Sequence, residues 1–154
     1  MKKLPWLLAF TFLGISAFLF YNFVFKGDGI IEPDGRISIE ISLEEKELFF
    51  KEMRGFLTET KNLSNGILEK DVDKIITAGT VGRGIIDRVP ASLMRKLPLA
   101  FKKVGFSTQN QFKEIARMAE KGADFDELLN EYNNLLKKCV ACHIKYKMNV
   151  SNNN

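Results

Sequence analysis

The stretch "SLEEKELFFKEMRGFLTETKNLSNGILE" (residues 42–69) decides how the rest of the chain is read. Ser42-Leu43-Glu44-Glu45 is a capping box: the serine hydroxyl accepts from the amide three residues on, and Glu45 reaches back to the serine amide. Phe49, Met53, Phe56, Leu57, Leu63 and Ile67, with Thr60 completing the row, then recur at the three- and four-residue spacing of one helix face. Charged residues fill the other face. The pattern predicts one long amphipathic helix over 43–69, and its apolar side needs other elements to cover it.

Downstream, Asp71 caps a second predicted helix carrying Val72, Ile75, Ile76, Val81, Ile85 and Ile86. Gly79, Gly82 and Gly84 interrupt it, each at about 1 kcal/mol against alanine. Glycine this dense implies an early helix end or a face that something bulky approaches. Pro90 and Pro98 bracket an irregular, partly helical connection. A turn at Gly105 and a cap at Ser107-Thr108 predict a third helix with Phe112, Ile115, Ala116 and Ala119, ended by Gly122. Asp124-Phe125-Asp126-Glu127 opens the fourth, with Leu128, Leu129, Tyr132, Leu135, Leu136 and Cys139 inward; the same period carries on to His143 and Tyr146. The expected fold is all-α, an antiparallel four-helix bundle over residues 42–148, followed by a disordered tail over 149–154.

Upstream, "KGDGIIEPDGRISIEI" (26–41) reads as a tether, with room for one brief strand where Ile37, Ile39 and Ile41 alternate with polar residues. Residues 1–25 are a different material. Two lysines are followed by an uncharged run from Leu4 to Phe25, about 33 Å long as a helix and enough to cross a bilayer. An uncleaved signal-anchor is the expectation; a cleaved signal peptide, with Ile15-Ser16-Ala17 as its site, is the alternative. Lys2 and Lys3 hold the N-terminus inside, so the remainder is exported. The net charge of +4 is no nucleic-acid signature, but it is uneven. Residues 26–87 carry 9 basic and 13 acidic side chains, whereas residues 88–154 carry 12 and 6.

The positive half holds both cysteines and the only histidine, in "CVACH" at 139–143. An exported pair of cysteines normally forms a disulfide, which leaves the adjacent His143 without a role. A thiol-exchange Cys-x-x-Cys opens a helix after a strand in a βαβ setting, and structural zinc needs four ligands. Cys-x-x-Cys-His is the attachment sequence of c-type haem. Cys139 and Cys142 would make thioethers to one covalently attached haem, and His143 would be the proximal iron ligand.

With this motif in its last helix the chain resembles the class II c-type cytochromes, cytochrome c′ and its low-spin relatives, over residues 43–147. The carriers are the C-terminal place of the motif and "HIKYK", where the family has an aromatic and then a basic residue. Tyr146 and Lys147 stand there, with lysine where arginine is more usual. The resemblance implies that Lys147 contacts a haem propionate and that the first bundle helix supplies the distal residue. Met53 is the candidate distal ligand, being the only Met, His, Cys or Lys on that helix's inward stripe. Met148 lies too close after His143, and Met94 and Met118 sit on a connection and on the third helix. Gly79 and Gly82 would give the flat ring room.

The expected function is a mono-haem c-type cytochrome that carries single electrons and is not an enzyme. It would be tied to the bacterial inner membrane with its haem domain in the periplasm, or soluble there if the N-terminal segment is cleaved. A five-coordinate gas-binding protein for nitric oxide or carbon monoxide is the alternative within haem proteins. An exported thiol-disulfide oxidoreductase is the alternative of another class. Lys102, Lys103, Lys137, Lys138, Lys145 and Lys147 would steer an acidic redox partner. A homodimer is compatible with this reading.

Overall fold

The computed structural model describes residues 4–22 and 29–151. In chain order it forms α1 (Leu4–Phe20), β1 (Gly29–Ile31), β2 (Ile37–Ile41), α2 (Leu43–Glu69), α3 (Val72–Arg83), a 3₁₀ turn (Ile86–Arg88), α4 (Ala91–Lys96), α5 (Leu99–Glu120), α6 (Phe125–Lys145) and β3 (Tyr146–Val150). The described chain is mostly helical, with one small sheet.

Local signals set the helix starts. Ser42 Oγ accepts from the Glu45 amide at 3.1 Å, and the Ser42 amide donates to Glu45 Oε2 at 2.8 Å, which is the expected capping box. Asp71 accepts from the Lys74 amide (3.0 Å) at the start of α3, and Asp124 from the Asp126 amide (3.0 Å) at the start of α6. Between α5 and α6 the chain reverses at Gly122, whose φ of 76° suits a residue without a Cβ.

α2, α3, α5 and α6 bury one core, in which Leu63, Ile75, Phe112, Ile115, Leu128 and Leu135 are inaccessible to solvent. The glycines of α3 belong to this packing. A Cβ at Gly79 would stand 2.7 Å from the Phe112 carbonyl oxygen and 2.8 Å from Ala116 Cβ, and one at Gly82 would lie 2.3 Å from the Phe112 ring. The bulky neighbour is therefore α5, and the room expected for a prosthetic ring is filled by Phe112.

The third bundle helix also differs from expectation. Ser107 and Thr108 do not cap it: α5 begins at Leu99 behind Pro98, and the buried Thr108 hydroxyl donates back to the Val104 carbonyl at 2.9 Å. Phe101, Thr108, Phe112, Ile115 and Ala119 form one continuous buried row, and its burial outweighs the helix cost of Gly105.

The strand expected at Ile37–Ile41 is present, but residues 29–41 hold a second strand as well and the chain is not purely helical; residues 26–28 of the expected tether lie outside the described ones. β1 and β2 form an antiparallel hairpin (Gly29↔Ile39, Ile31↔Ile37), and β3 pairs parallel to β2 from Ile37↔Tyr146 to Ile41↔Val150. Asn149 and Val150, expected in a disordered tail, are strand residues; residues 152–154 of that expectation lie outside the described ones. Ile39 and Ile41 are fully buried and join Phe49, Leu93, Leu97, Phe101 and Tyr146 in a second core beneath the helices. Tyr146 thus leaves the helix at the residue where the helical period was expected to continue.

At the N-terminus the described part of the expected spanning helix is the 17-residue α1, followed by a π-type turn at Tyr21 and Asn22. The Asn22 side-chain amide donates to the Phe18 carbonyl (2.9 Å). Among the described residues no helix is long and apolar enough to cross a membrane. Residues 1–3 and 23–25 of the expected span lie outside the described ones. Every residue from 5 to 20 is exposed, including Trp6, Phe10, Phe12 and Phe18.

Candidate functional site

Cys139 and Cys142 stand on the last two turns of α6, three residues apart and therefore on one face of the helix. Both thiols are free and half-buried. Burial pushes the Cys139 thiol above its ordinary value. It pushes Cys142 up to about 11, with the neighbouring Cys139 adding to the effect. His143 is exposed. It follows Cys139 by four residues and Leu136 by seven, so it lies at the edge of the buried face. Directly beyond it α6 stops, as the Tyr146 amide donates to the Cys142 carbonyl and the chain enters β3.

The two flanks of α6 differ. On one, Lys137, Lys138 and Ala141 meet Lys103, Val104 and Ser107 of α5 around an open depression of about 310 Å³. Leu136 and His143 lie on the opposite flank of the helix, and α6 packs less extensively against α2 than against α5. Apolar side chains of α6 remain uncovered beside it: Val140 is 56% exposed and Ile144 69%.

Met53 is half-buried on α2. It packs against the second core, as Cys142 does. A chain of aromatic contacts sets this level of the fold: Phe49, one turn before Met53, lies 6.0 Å from Phe101, and Phe101 meets Tyr146 edge-on at 5.0 Å. The structure therefore brings the first bundle helix and the end of the motif helix to one cluster. Met94 and Met148, set aside in the sequence, pack on that cluster too, while Met118 belongs to the main core.

Lys147, named for a propionate, points its amine at the hairpin: Nζ is 3.5 Å from Glu32 Oε2 and 3.6 Å from Asp34 Oδ2. The Asn149 side chain donates to Glu32 at 3.2 Å. Glu52, beside Met53, is a buried carboxylate that the sequence reading overlooked, with Arg88 at 3.9 Å. Its signal was available, since it stands three residues after Phe49 on the inward side. Among the described residues no three His, Cys, Asp or Glu side chains converge as a metal-holding group.

This arrangement offers two unpaired thiols on one helix face, an imidazole free to bind iron, and bare apolar surface next to both. That donor set fits a porphyrin held through two thioethers. Comparison with known proteins gives no further guide: no family model, no curated protein and no solved structure matches the chain.

Proposed function

We propose that the protein is a mono-haem c-type cytochrome that carries single electrons. The observation that carries this reading is the Cys139-x-x-Cys142-His143 set on α6, with both thiols free and the imidazole exposed beside uncovered apolar side chains. The haem, when bound, supplies a one-electron couple. Cys139 and Cys142 would tether it, His143 and Met53 would ligate its iron, and Leu136 and Val140 would shield it from water. α2, α3, α5 and α6 then correspond to the antiparallel four-helix bundle of class II c-type cytochromes. Thiol-disulfide exchange is the weaker reading, because a thiol held near 11 by burial carries little of the nucleophilic thiolate at neutral pH.

The apolar residues 5–20 of α1, all exposed, support attachment of the chain to a membrane, with the haem domain on the periplasmic side of a bacterial inner membrane. The test is expression of the full chain in a bacterium that matures c-type haem. The expected product is a coloured protein in the membrane fraction, with a Soret band and a mass one haem above the polypeptide. A colourless product with the bare polypeptide mass and two titratable thiols would end the proposal.

An acidic redox partner is proposed for the α5–α6 flank. No carboxylate occurs between Asp87 and Glu114 or after Glu131, and Lys103, Lys137 and Lys138 line the depression between the two helices. With ferricyanide as an anionic probe, Lys137→Glu/Lys138→Glu is expected to slow oxidation of the reduced protein about tenfold at low salt and to flatten the salt dependence. Rates that match wild type at every salt concentration would remove this flank from consideration.

A further inference from the structure

β3 begins at the residue after α6 ends, and β2 ends one residue before Ser42 caps α2. Their parallel pairing therefore joins the tail of the motif helix to the head of the helix that carries Met53. We infer that this pairing is a positioning device: it fixes the end of the 139–143 segment against α2 and so sets how Met53 faces the haem-bearing turn. This rests on the haem reading above.

The grip is closed at both ends and from the side. Five residues pair in register, and the Ser151 amide extends the ladder to the Ile41 carbonyl at 3.0 Å. Tyr146 is buried against Phe101, which in turn meets Phe49 of α2. Lys147 and Asn149 reach across to Glu32 and Asp34, so the β1–β2 hairpin is held to the same strand. Only the main chain of residues 143–145 separates the imidazole of His143 from this anchored strand. A helix end left free would fray over its last turn; here strand pairing takes over where the helical bonds stop.

The test separates coupling from stability. Two glycines inserted between Lys145 and Tyr146 leave β3 free to pair and Tyr146 free to bury, while slackening the link to α6. The insertion variant is expected to keep its covalent haem but to lose the Met-ligated spectrum in most molecules and to show a lower reduction potential. Amide exchange at 142–145, measured on the protein as purified, is expected to accelerate about tenfold with that at 128–135 unchanged. Lys147→Met, which leaves the chain length intact, is expected to move the same readouts in the same direction by less. The charge swap Glu32→Lys/Lys147→Glu is expected to move them back toward wild type. If the insertion merely unfolds the protein, Lys147→Met and the swap decide. Spectrum, potential and local exchange all equal to wild type would overturn the inference. Wild-type protein without haem would instead overturn the haem reading, and exchange at 142–145 would still decide the role of the strand.

Discussion

Phe112→Ala is expected to cost about 3–5 kcal/mol of stability and to reverse the sign of a second substitution, Gly82→Ala. The Phe112 ring is fully buried and stacks on Phe56 with centroids 5.7 Å apart. It occupies the space that a side chain at position 82 would need, since a Cβ there falls 2.3 Å from the ring. In the wild-type background Gly82→Ala therefore overpacks a closed core, at about 1–3 kcal/mol, against a helix gain of about 1 kcal/mol. With the ring removed the methyl enters a vacant volume and the helix gain stands alone, so Gly82→Ala becomes stabilising. The two sites should couple by about 1–3 kcal/mol in a double-mutant cycle followed by denaturant. Gly79 is the control. Its Cβ would meet the backbone carbonyl of Phe112 and the Ala116 methyl, so Phe112→Ala should not rescue Gly79→Ala. Additive energies at 82 and 112 would refute this account of the α3–α5 contact.

That contact also marks where the sequence stops being readable. Dense glycine announced a close approach, but no local signal says which residue approaches, and Phe112 lies 30 positions away in another element. The caps at Ser42, Asp71 and Asp124 were legible because their chemistry is complete within four residues. Ser107-Thr108 shows the limit of that logic: the same residue types stand inside α5, where a continuous buried face overrides a local capping preference. The sheet was hidden for a different reason. Ile37–Ile41 alternates clearly, but its parallel partner is more than a hundred residues downstream, where Tyr146 also satisfies the helical spacing from Cys139 and His143. Two periods coincide at one residue, and only the pairing with β2 decides between them. The placement of Cys139 and Cys142 together on one face of the last helix was legible, since it follows from their spacing alone. What surrounds it was not: Lys147 is drawn to Glu32 and Asp34 across the sheet, and Met94 and Met148 arrive beside Met53 through elements with no local signature.

On the proposed haem reading, Met53→Ala is expected to leave the haem attached and to abolish the low-spin, Met-ligated spectrum, with the reduction potential falling by on the order of 0.1 V within the roughly 0.8 V that axial ligands span. A thioether favours ferrous iron, so its loss moves the potential down. The three methionines on the shared cluster make the comparison sharp, because each can be replaced in turn. Met148 follows His143 by five residues on the same run of chain, in β3. Met94 belongs to the six-residue α4, beneath the helices with the sheet core. Met53 alone stands on a separate long helix, and like Cys142 it packs against the second core. Met94→Ala and Met148→Ala should accordingly retain the wild-type spectrum. A Met-ligated spectrum that survives Met53→Ala but not Met148→Ala would transfer the ligand to β3. A wild-type protein already high-spin, binding carbon monoxide on reduction, would leave Met53 as core filler and turn the iron from electron carriage to gas binding.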